Sequence, residues 1–532
     1  MNTARMAPCQ EACPAGVDVP RYIRHIQQGR FGEALSVVRE RIPFPLVCGY
    51  ACFHPCEAKC GRSQFDAPVA IRMLKRVAAE RGLKGSVAPK PLAATGRKVG
   101  IIGSGPCGLT AAYYLALRGH DVTVFEALSQ SGGMLRFGIP EYRLPDAIVD
   151  ADIRLIEQCG VKIQTDTRVE SAEALLRQGF DAVLVASGAW RSARMGITGE
   201  DAPQVVDGLS FLKQVNAGAA VKPGERVIVV GGGNTAIDAA RVSRRLGAEV
   251  IQLYRRTKAE MPASDEEIAA AIEEGVKLEF LCAPVRVDKG VVTCIRMNLG
   301  PADASGRPRP VPMAGSEYTI RADTVIMAIG QEVEVPAASV ARARTGTVLV
   351  DAETLATSVD GIFAGGDAVA GPASIIAAIG QGRRASSAID RFLGGDGAID
   401  RHAREEMPST LPQEVPRGTA RNEYQTIPLK RRLDSFGLVE KAYNLRTAKF
   451  EARRCLSCDL RAYEVDVNPV LCKDCGYCLE VCGLEVFARS DQFNASGYLP
   501  AVVAAEENCI GCLRCLYICP DFAITITDRQ GQ

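Results

Sequence analysis

The placement of cysteine constrains this chain more than any other feature. Of 20 cysteines, six lie between Cys9 and Cys60 and ten between Cys455 and Cys519. Only Cys107, Cys159, Cys282 and Cys294 fall in the long stretch between, where they are expected to pack as small apolar residues. Clustered thiols in a reducing compartment hold metal far more often than they form disulfides. With only 4 histidines, thiolate must dominate over imidazole in such sites.

The C-terminal runs are regular: Cys472-x2-Cys475-x2-Cys478-x3-Cys482-Gly, then Cys509-x2-Cys512-x2-Cys515-x3-Cys519-Pro. This is the two-cluster ferredoxin pattern, in which the fourth cysteine of each run crosses to the other cluster. It assigns Cys472, Cys475, Cys478 and Cys519 to one [4Fe–4S] cluster and Cys482, Cys509, Cys512 and Cys515 to a second. Zinc is the alternative metal, but a doubled run of this spacing favours iron–sulfur. Gly483 stands where the pattern usually has proline.

A chain of 532 residues divides into three or four domains. Its net charge of +1 gives no reason to expect nucleic acid as a partner. No apolar run approaches the roughly 20 residues that span a bilayer. "MNTARMAPCQEACPAG" lacks the apolar core of a secretory signal, so a cytoplasmic location is expected. Residues 61–85 look helical, and 394–430 collects the Gly, Pro and polar residues of a linker.

Between the cysteine-rich ends, apolar β-runs alternate with helical ones, the signature of α/β layers. In "KVGIIGSGPCGLTAAYYLALRGHDVTVFEA" a strand enters Gly103-x-Gly105-x-x-Gly108, a helix follows, and a second strand ends at Glu126. The glycines admit a pyrophosphate to the helix N-terminus, and Glu126 is placed to accept from the adenosine ribose. Cys107, inside this loop, has no partner thiol in sequence and reads as packing. "RVIVVGGGNTAIDAARVSRRLGAEVIQLYRR" repeats the plan with Gly231-x-Gly233-Asn234-x-Ala236. Tyr254 takes the place of the acid, and Arg255 and Arg256 follow. Guanidinium groups suit a 2′-phosphate, so this unit is expected to bind NADP(H), with NAD(H) as the alternative.

A third segment, "GIFAGGDAVAGPASIIAAIGQGRRAS", ends a β-run at Gly365-Gly366-Asp367 and enters a helix. It resembles the late motif of two-dinucleotide-binding flavoproteins, in which the aspartate bonds the ribitol of FAD. That resemblance implies a discontinuous FAD domain, 96–210 plus 345–395, with a nicotinamide domain at 211–344 inserted. "GGMLRFGIPEYRLP", with Gly133, then lies beside the flavin. The ends are expected to be a helical iron–sulfur domain at 1–95 and a ferredoxin-like α+β domain at 466–532, joined through a linker at 396–465.

Four stretches bring the resemblance closer: "CPAGVDVP", "HPCEAKC", "GIPEYRLP" and "GGGNTAIDAARVSRR…YRRTKAEMP". Residues 1–450 resemble the β-subunit of glutamate synthase and its relatives, NADPH-dependent flavoproteins whose N-terminal domain holds two [4Fe–4S] clusters. The family pattern begins with an RCxxC that has no counterpart before Cys9. "RRCLSCD", far downstream, could supply the missing pair. The resemblance thus implies one cluster on Cys9, Cys60, Cys455 and Cys458. A second would take Cys13, Cys52, Cys56 and Cys48, the last replacing a non-cysteine ligand of some relatives. The alternative leaves Cys455 and Cys458 free or in a separate site. His54, within the cysteine run, is expected to be structural.

Nicotinamide delivers electrons in pairs and iron–sulfur clusters accept them singly, while flavin does both. The expected activity is therefore an NAD(P)H:ferredoxin-type oxidoreductase using FAD and four [4Fe–4S] clusters, with no catalytic acid, base or nucleophile of its own. Its partner would be ferredoxin or a larger catalytic subunit, such as a 2-oxoacid:ferredoxin oxidoreductase. A free-standing NADPH:ferredoxin oxidoreductase and a glutamate synthase small subunit are the alternatives. A thioredoxin reductase would need a CxxC near the nicotinamide domain, and none is there.

Overall fold

The computed structural model describes residues 6–83, 87–303, 306–336, 339–400, 419–460 and 463–528. Two parallel sheets of one plan occupy the middle of the chain. The first orders its strands Ile362–Ala364, Ala182–Val185, Lys98–Ile102, Asp121–Phe125, Lys162–Gln164. The second orders Val205–Asp207, Thr324–Met327, Arg226–Val230, Glu249–Tyr254, Lys277–Phe280. Strands buried on both faces carry near-continuous apolar runs, and Val99, Ile101, Leu184 and Val229 are each 0% exposed.

Ile362–Ala364 pairs in parallel with Ala182–Val185 although the whole second sheet lies between them in sequence. The first sheet is thus made from two stretches of chain. The boundaries differ from 210 and 344. Val205–Asp207 pairs with Thr324–Met327 and so belongs to the second sheet. The crossing is a two-stranded ribbon in which Arg191–Ser192 meets Gln331–Glu332. An antiparallel sheet, with strands Cys282–Asp288, Val291–Ala302, Pro308–Pro312 and Tyr318–Arg321, extends the second unit.

Six helices, Pro8–Glu11, Val19–Gln28, Phe31–Arg39, Pro45–Ala51, Pro55–Ala58 and Ile71–Gly82, form the N-terminal layer. Asp18 caps the second by accepting from the Arg21 amide at 3.2 Å, and Gly29 ends it at φ 78°. The helix expected over 61–85 is shorter. Gly61–Gln64 is a single 3-10 turn, and the α-helix begins only at Ile71. The interval is held extended by Arg454, which donates to Asp66 Oδ1 at 2.8 Å and to the carbonyls of Ala67 and Pro68.

The expected linker at 396–465 is the larger correction. Residues 401–418 lie outside the described residues, but 419–460 is built into the N-terminal core. Tyr443, Ala448, Ala452, Leu456 and Cys458 share one apolar cluster with Tyr22, Ile26 and Met73. Arg454 is 0% exposed there. Beyond it, Tyr463–Val467 pairs antiparallel with Ile524–Asp528, and Phe487–Arg489 with Ala501–Val503. Two short helices, Tyr477–Val481 and Arg514–Ile518, lie between these ribbons in sequence.

Candidate functional site

Both glycine loops open onto one cavity of about 1110 Å³. The first and third glycines of the first loop are forced by close approach. A Cβ on Gly103, at φ 104°, would lie 2.4 Å from the Ala186 carbonyl, and one on Gly108 would lie 2.1 Å from the Gly103 carbonyl. Gly231, at φ 138°, repeats this against the Ala328 carbonyl at 2.2 Å. The middle glycines differ. Gly105 has no atom within 4 Å of its virtual Cβ, and Gly233 has only Pro262 Cγ at 3.9 Å. Both face the cavity at the start of a 12-residue helix, Pro106–Leu117 and Asn234–Arg245. This space and these amide donors fit the pyrophosphates of FAD and of a nicotinamide dinucleotide. Ala236, 0% exposed, packs beneath the second loop.

Glu126 lies at the cavity wall. Its carboxylate accepts from the Ser104 amide at 3.0 Å, the Ser104 hydroxyl at 2.5 Å and the Leu128 amide at 2.9 Å. Oε2 takes both Ser104 bonds, while Oε1, bonded only to the Leu128 amide, retains a lone pair for a ribose hydroxyl. Gly133, at φ 56°, approaches so closely that its Cβ would lie 3.0 Å from Gly105 Cα. Asp367 also lines the cavity, and its Oδ1 accepts from the Ala373 amide at 3.2 Å. Cys107 is buried, pushed up to about 12 by burial and by the Asp367 carboxylate, and packs against Gly365 and Gly366.

The two arginines after Tyr254 part company. Arg255 is exposed at the cavity. Arg256 is 2% exposed, donating to the Pro308 carbonyl at 2.7 Å and to Asp303 Oδ2 at 2.6 Å. Arg256 also lines the cavity, but its guanidinium is engaged inside the domain, so of the expected pair Arg255 is the exposed one. Tyr254 closes the loop beneath, its hydroxyl donating to the Glu260 carbonyl at 2.7 Å. Asn234 lines the cavity, with its Oδ1 3.4 Å from the Ser264 amide.

Four cavity residues were not named individually as site candidates from the sequence: Trp190, Lys213, Arg143 and Ser104. The lone tryptophan, Trp190, meets Phe137 edge-on at 6.2 Å, and Lys213 Nζ lies 5.8 Å from both rings. Arg143 donates to Asp238 Oδ2 at 2.8 Å, tying the "GIPEYRLP" segment to the second nucleotide helix. Ser104 was an unmarked position inside a fingerprint.

The thiols gather as four sets. Cys9, Cys60, Cys455 and Cys458 line one small cavity. The Cys9 thiol is raised by burial, then by the thiols of Cys60, Cys455 and Cys458. Cys52, Cys48, Cys56 and Cys13, in that order, are the thiols that favour the Lys75 ammonium. Burial opposes that charge, yet these thiols hold Lys75 above its ordinary range. Cys472, Cys475, Cys478 and Cys519 line a third cavity. Cys515 is pushed up to about 12 by burial and by Cys512, Cys482 and Cys509, the fourth set. Among the described residues, no three His, Cys, Asp or Glu side chains converge at the spacing of a single metal ion. His54, at φ 41°, lies 3.8 Å from Glu57 and 3.6 Å from Glu266.

The sets adjoin one another and the nucleotide cavity. Ala51 and Phe53, flanking Cys52, line that cavity. Gly380, in the helix Ile375–Phe392, would carry a Cβ 2.4 Å from the carbonyl of Pro14, next to Cys13. On the far side, Gly61 lies against both Cys458 Sγ and Ile510, each 3.3 Å from its virtual Cβ.

Known proteins match the chain over most of its length. The pattern of the pyridine nucleotide-disulphide oxidoreductases covers residues 97–382, that of the dihydropyrimidine dehydrogenase domain II 4Fe–4S cluster covers 3–86, and that of the 4Fe–4S dicluster domain covers 471–523. The chain is 40% identical to the NADP(+)-dependent formate dehydrogenase subunit beta of Moorella thermoacetica, over 85% of this chain and 70% of that one. It is 43% identical to the NADPH-Fe(3+) oxidoreductase subunit beta of Geobacter sulfurreducens, over 73% of this chain and 64% of that one. Against the glutamate synthase [NADPH] small chain of Azospirillum brasilense it is 35% identical, over 72% and 86%. FprA of Mycobacterium tuberculosis in complex with NADPH shares the fold, with a TM-score of 0.50 and 20% identity over 56% of this chain and 84% of that one. No helix of the described residues is long and apolar enough to cross a membrane. With matches of this extent, the chain belongs to the glutamate synthase small-chain-like branch of the pyridine nucleotide-disulphide oxidoreductases, flavin- and nicotinamide-dependent enzymes that here carry iron–sulfur domains at both ends.

Proposed function

We propose that this protein is the electron-transfer subunit of a cytoplasmic redox complex, moving electrons between NADP(H) and a larger catalytic subunit through FAD and four [4Fe–4S] clusters. The observation that carries the reading is the adjacency of both nucleotide loops, on one cavity, with two thiol sets that continue into the ferredoxin-like domain. Bound flavin would take electrons as a pair and release them singly. The chain's own residues do the rest. Gly105 and Gly233 admit the two pyrophosphates, and Glu126 holds the adenosine ribose of the first nucleotide. Arg255 is the proposed ligand of the 2′-phosphate, while Asp367 faces the flavin end.

The four sets would be Cys9/Cys60/Cys455/Cys458, Cys13/Cys48/Cys52/Cys56, Cys472/Cys475/Cys478/Cys519 and Cys482/Cys509/Cys512/Cys515. Apolar residues stand exposed around the last domain, Tyr517 at 76% and Phe522 at 83%, which suits a surface covered in a complex. Two relatives are named as beta subunits, in keeping with a catalytic partner.

The test is anaerobic purification from the native cells, with identification of whatever elutes at fixed stoichiometry. A large oxidoreductase subunit is expected to co-elute, and NADPH should bleach the flavin. Elution alone, with NADPH reducing added ferredoxin, would replace the subunit reading with a free-standing NADPH:ferredoxin oxidoreductase. A flavin that NADPH leaves oxidised would sink both.

A further inference from the structure

The ribbon at the crossing between the two nucleotide domains has only two residues in each strand, Arg191–Ser192 and Gln331–Glu332. A joint so small would by itself let one domain hinge on the other. A second connection lies away from it. Tyr142 comes from the segment 138–145, which falls between the strands Asp121–Phe125 and Lys162–Gln164 of the first sheet. Yet Tyr142 is 0% exposed and sits in the apolar core of the second domain, with Phe211, Leu212 and Ile237. Arg245 and Arg241 cover its ring, 3.7 and 4.8 Å from the centroid.

The next residue, Arg143, donates to Asp238 Oδ1 at 2.9 Å and Oδ2 at 2.8 Å, and its Nε lies 3.0 Å from Glu267. Both carboxylates belong to helices of the second domain, Asn234–Arg245 and Asp265–Glu273. The surroundings are braced in turn. Glu274 accepts from Arg241 and from Arg245, each at 2.7 Å. Asn216 Nδ2 donates to the Ile139 carbonyl at 3.0 Å, and the Val439 amide donates to the Tyr142 carbonyl at 3.0 Å. The segment carrying Val439 is itself fastened, by Arg432 to Glu273 at 2.6 Å and by Glu440 to Arg72 at 2.7 Å.

Buried ion pairs are costly to desolvate and add little net stability over apolar packing, while their directional bonds can fix one arrangement among several. Here they join two parts of the nucleotide cavity, since Arg143 and Asp238 both line it. Asp238 lies one turn beyond Asn234 in the helix that begins at the second glycine loop, and Arg143 closes the stretch that begins at Gly133. Transfer between two bound rings requires reacting atoms held about 3–3.5 Å apart, so small rotations between the domains are costly.

We propose that Arg143, through Asp238 and Glu267, locks the second nucleotide domain onto the first in one orientation before nucleotide binds, the orientation in which nicotinamide faces flavin. The three side chains exchange no bond, proton or electron. They are positioning residues, and the inference rests on the reading that this cavity holds FAD and NADP(H).

Hydrogen exchange of the nucleotide-free full chain tests the lock directly. In the wild type, amides of 138–145 are expected to exchange slowly and to be unchanged by NADP+. Free exchange that NADP+ suppresses would reveal a domain that closes on binding, and would overturn the proposal without any variant. Arg143→Gln and Asp238→Asn are each expected to speed that exchange and to slow flavin reduction at saturating NADPH about tenfold or more, in anaerobic stopped flow. Flavin and iron content and the NADPH dissociation constant should stay within about twofold of wild type. The double variant should be no slower than the worse single, because the two residues act as a unit. Faster exchange with unchanged flavin reduction would overturn the positioning role, as would a loss confined to NADPH affinity. A wild-type flavin that NADPH leaves oxidised would remove the underlying reading of the cavity, and the exchange result would still decide the lock.

Discussion

Arg24 and Asp459 meet across 435 positions of sequence, joined by two parallel hydrogen bonds of 2.8 and 2.7 Å. Asp459 directly follows Cys458, so the pair fastens the returning CxxC segment to the second helix of the chain. Bidentate guanidinium–carboxylate contacts of this kind fix orientation as well as adding energy. Either Arg24→Ala or Asp459→Ala should destabilise the protein by about 3–5 kcal/mol, because each leaves a largely buried charge alone. Denaturant unfolding of both singles and the double checks this; the double should cost less than the sum.

Cys455→Ser combined with Cys458→Ser should lower iron content by about one four-iron cluster while leaving flavin bound. Iron and sulfide analysis against flavin absorbance provides the measurement. Full iron content in the double variant would mean that these thiols lie beside Cys9 and Cys60 without sharing a cluster with them.

Arg255→Ala should raise the KM for NADPH about tenfold to a hundredfold with little effect on NADH, since a charged hydrogen bond contributes roughly 1.5–3 kcal/mol. Arg256→Ala should instead lower thermal stability, through loss of its bonds to Asp303 and the Pro308 carbonyl, without altering the NADPH preference. Steady-state kinetics with both nucleotides, paired with melting curves, separates the two roles.

Gly233→Ala and Gly231→Ala should fail in different ways. The first adds a methyl group to open space, so the protein folds and NADP(H) affinity falls. The second places Cβ 2.2 Å from the Ala328 carbonyl and at φ 138°, so folding of the second domain suffers first. Nucleotide titration and circular dichroism distinguish the outcomes.

Asp152 supplies a pH dependence. Burial raises its carboxyl from 3.8 to about 8 in the folded protein. Between those values the folded state holds a proton that the unfolded state has released, so stability falls as pH rises, by up to about 1.4 kcal/mol per unit, and levels off above the folded value. Asp152→Asn, whose carboxamide oxygen can still accept from the Val47 amide, should flatten that fall in melting temperature between about pH 6 and pH 8.

The nucleotide loops and the two C-terminal thiol runs are legible in the sequence because both are encoded as spacing, whereas the grouping of the N-terminal thiols came only from the family resemblance. Gly103 and Gly231 are demanded by backbone approach, and thiol ligands recur at fixed intervals. What escaped depends on partners distant in the chain. Arg256 looked like half of a phosphate clamp until Asp303, from a separate hairpin, claimed it. Val205–Asp207 is too short to reveal which sheet it joins. The segment 419–460 follows a run carrying Pro408, Pro412 and Pro416 and read as a linker of which only the CxxC would return to the N-terminal domain, yet Arg454 and Glu451 are buried within it.

The insertion of Ala448, Ala452 and Leu456 into the N-terminal core sets a clock on biosynthesis. The first helices leave the ribosome early, but the residues that seal them arrive only after everything through Cys458 has been made. At about 5–20 residues per second, the interval from Gly82 to Cys458 is roughly 20–75 s, during which the nascent helical layer exposes apolar surface and open thiols. Nothing translated before that point can complete this layer, so a chain interrupted in either nucleotide-binding domain leaves it unsealed, a ready target for proteolysis and oxidation.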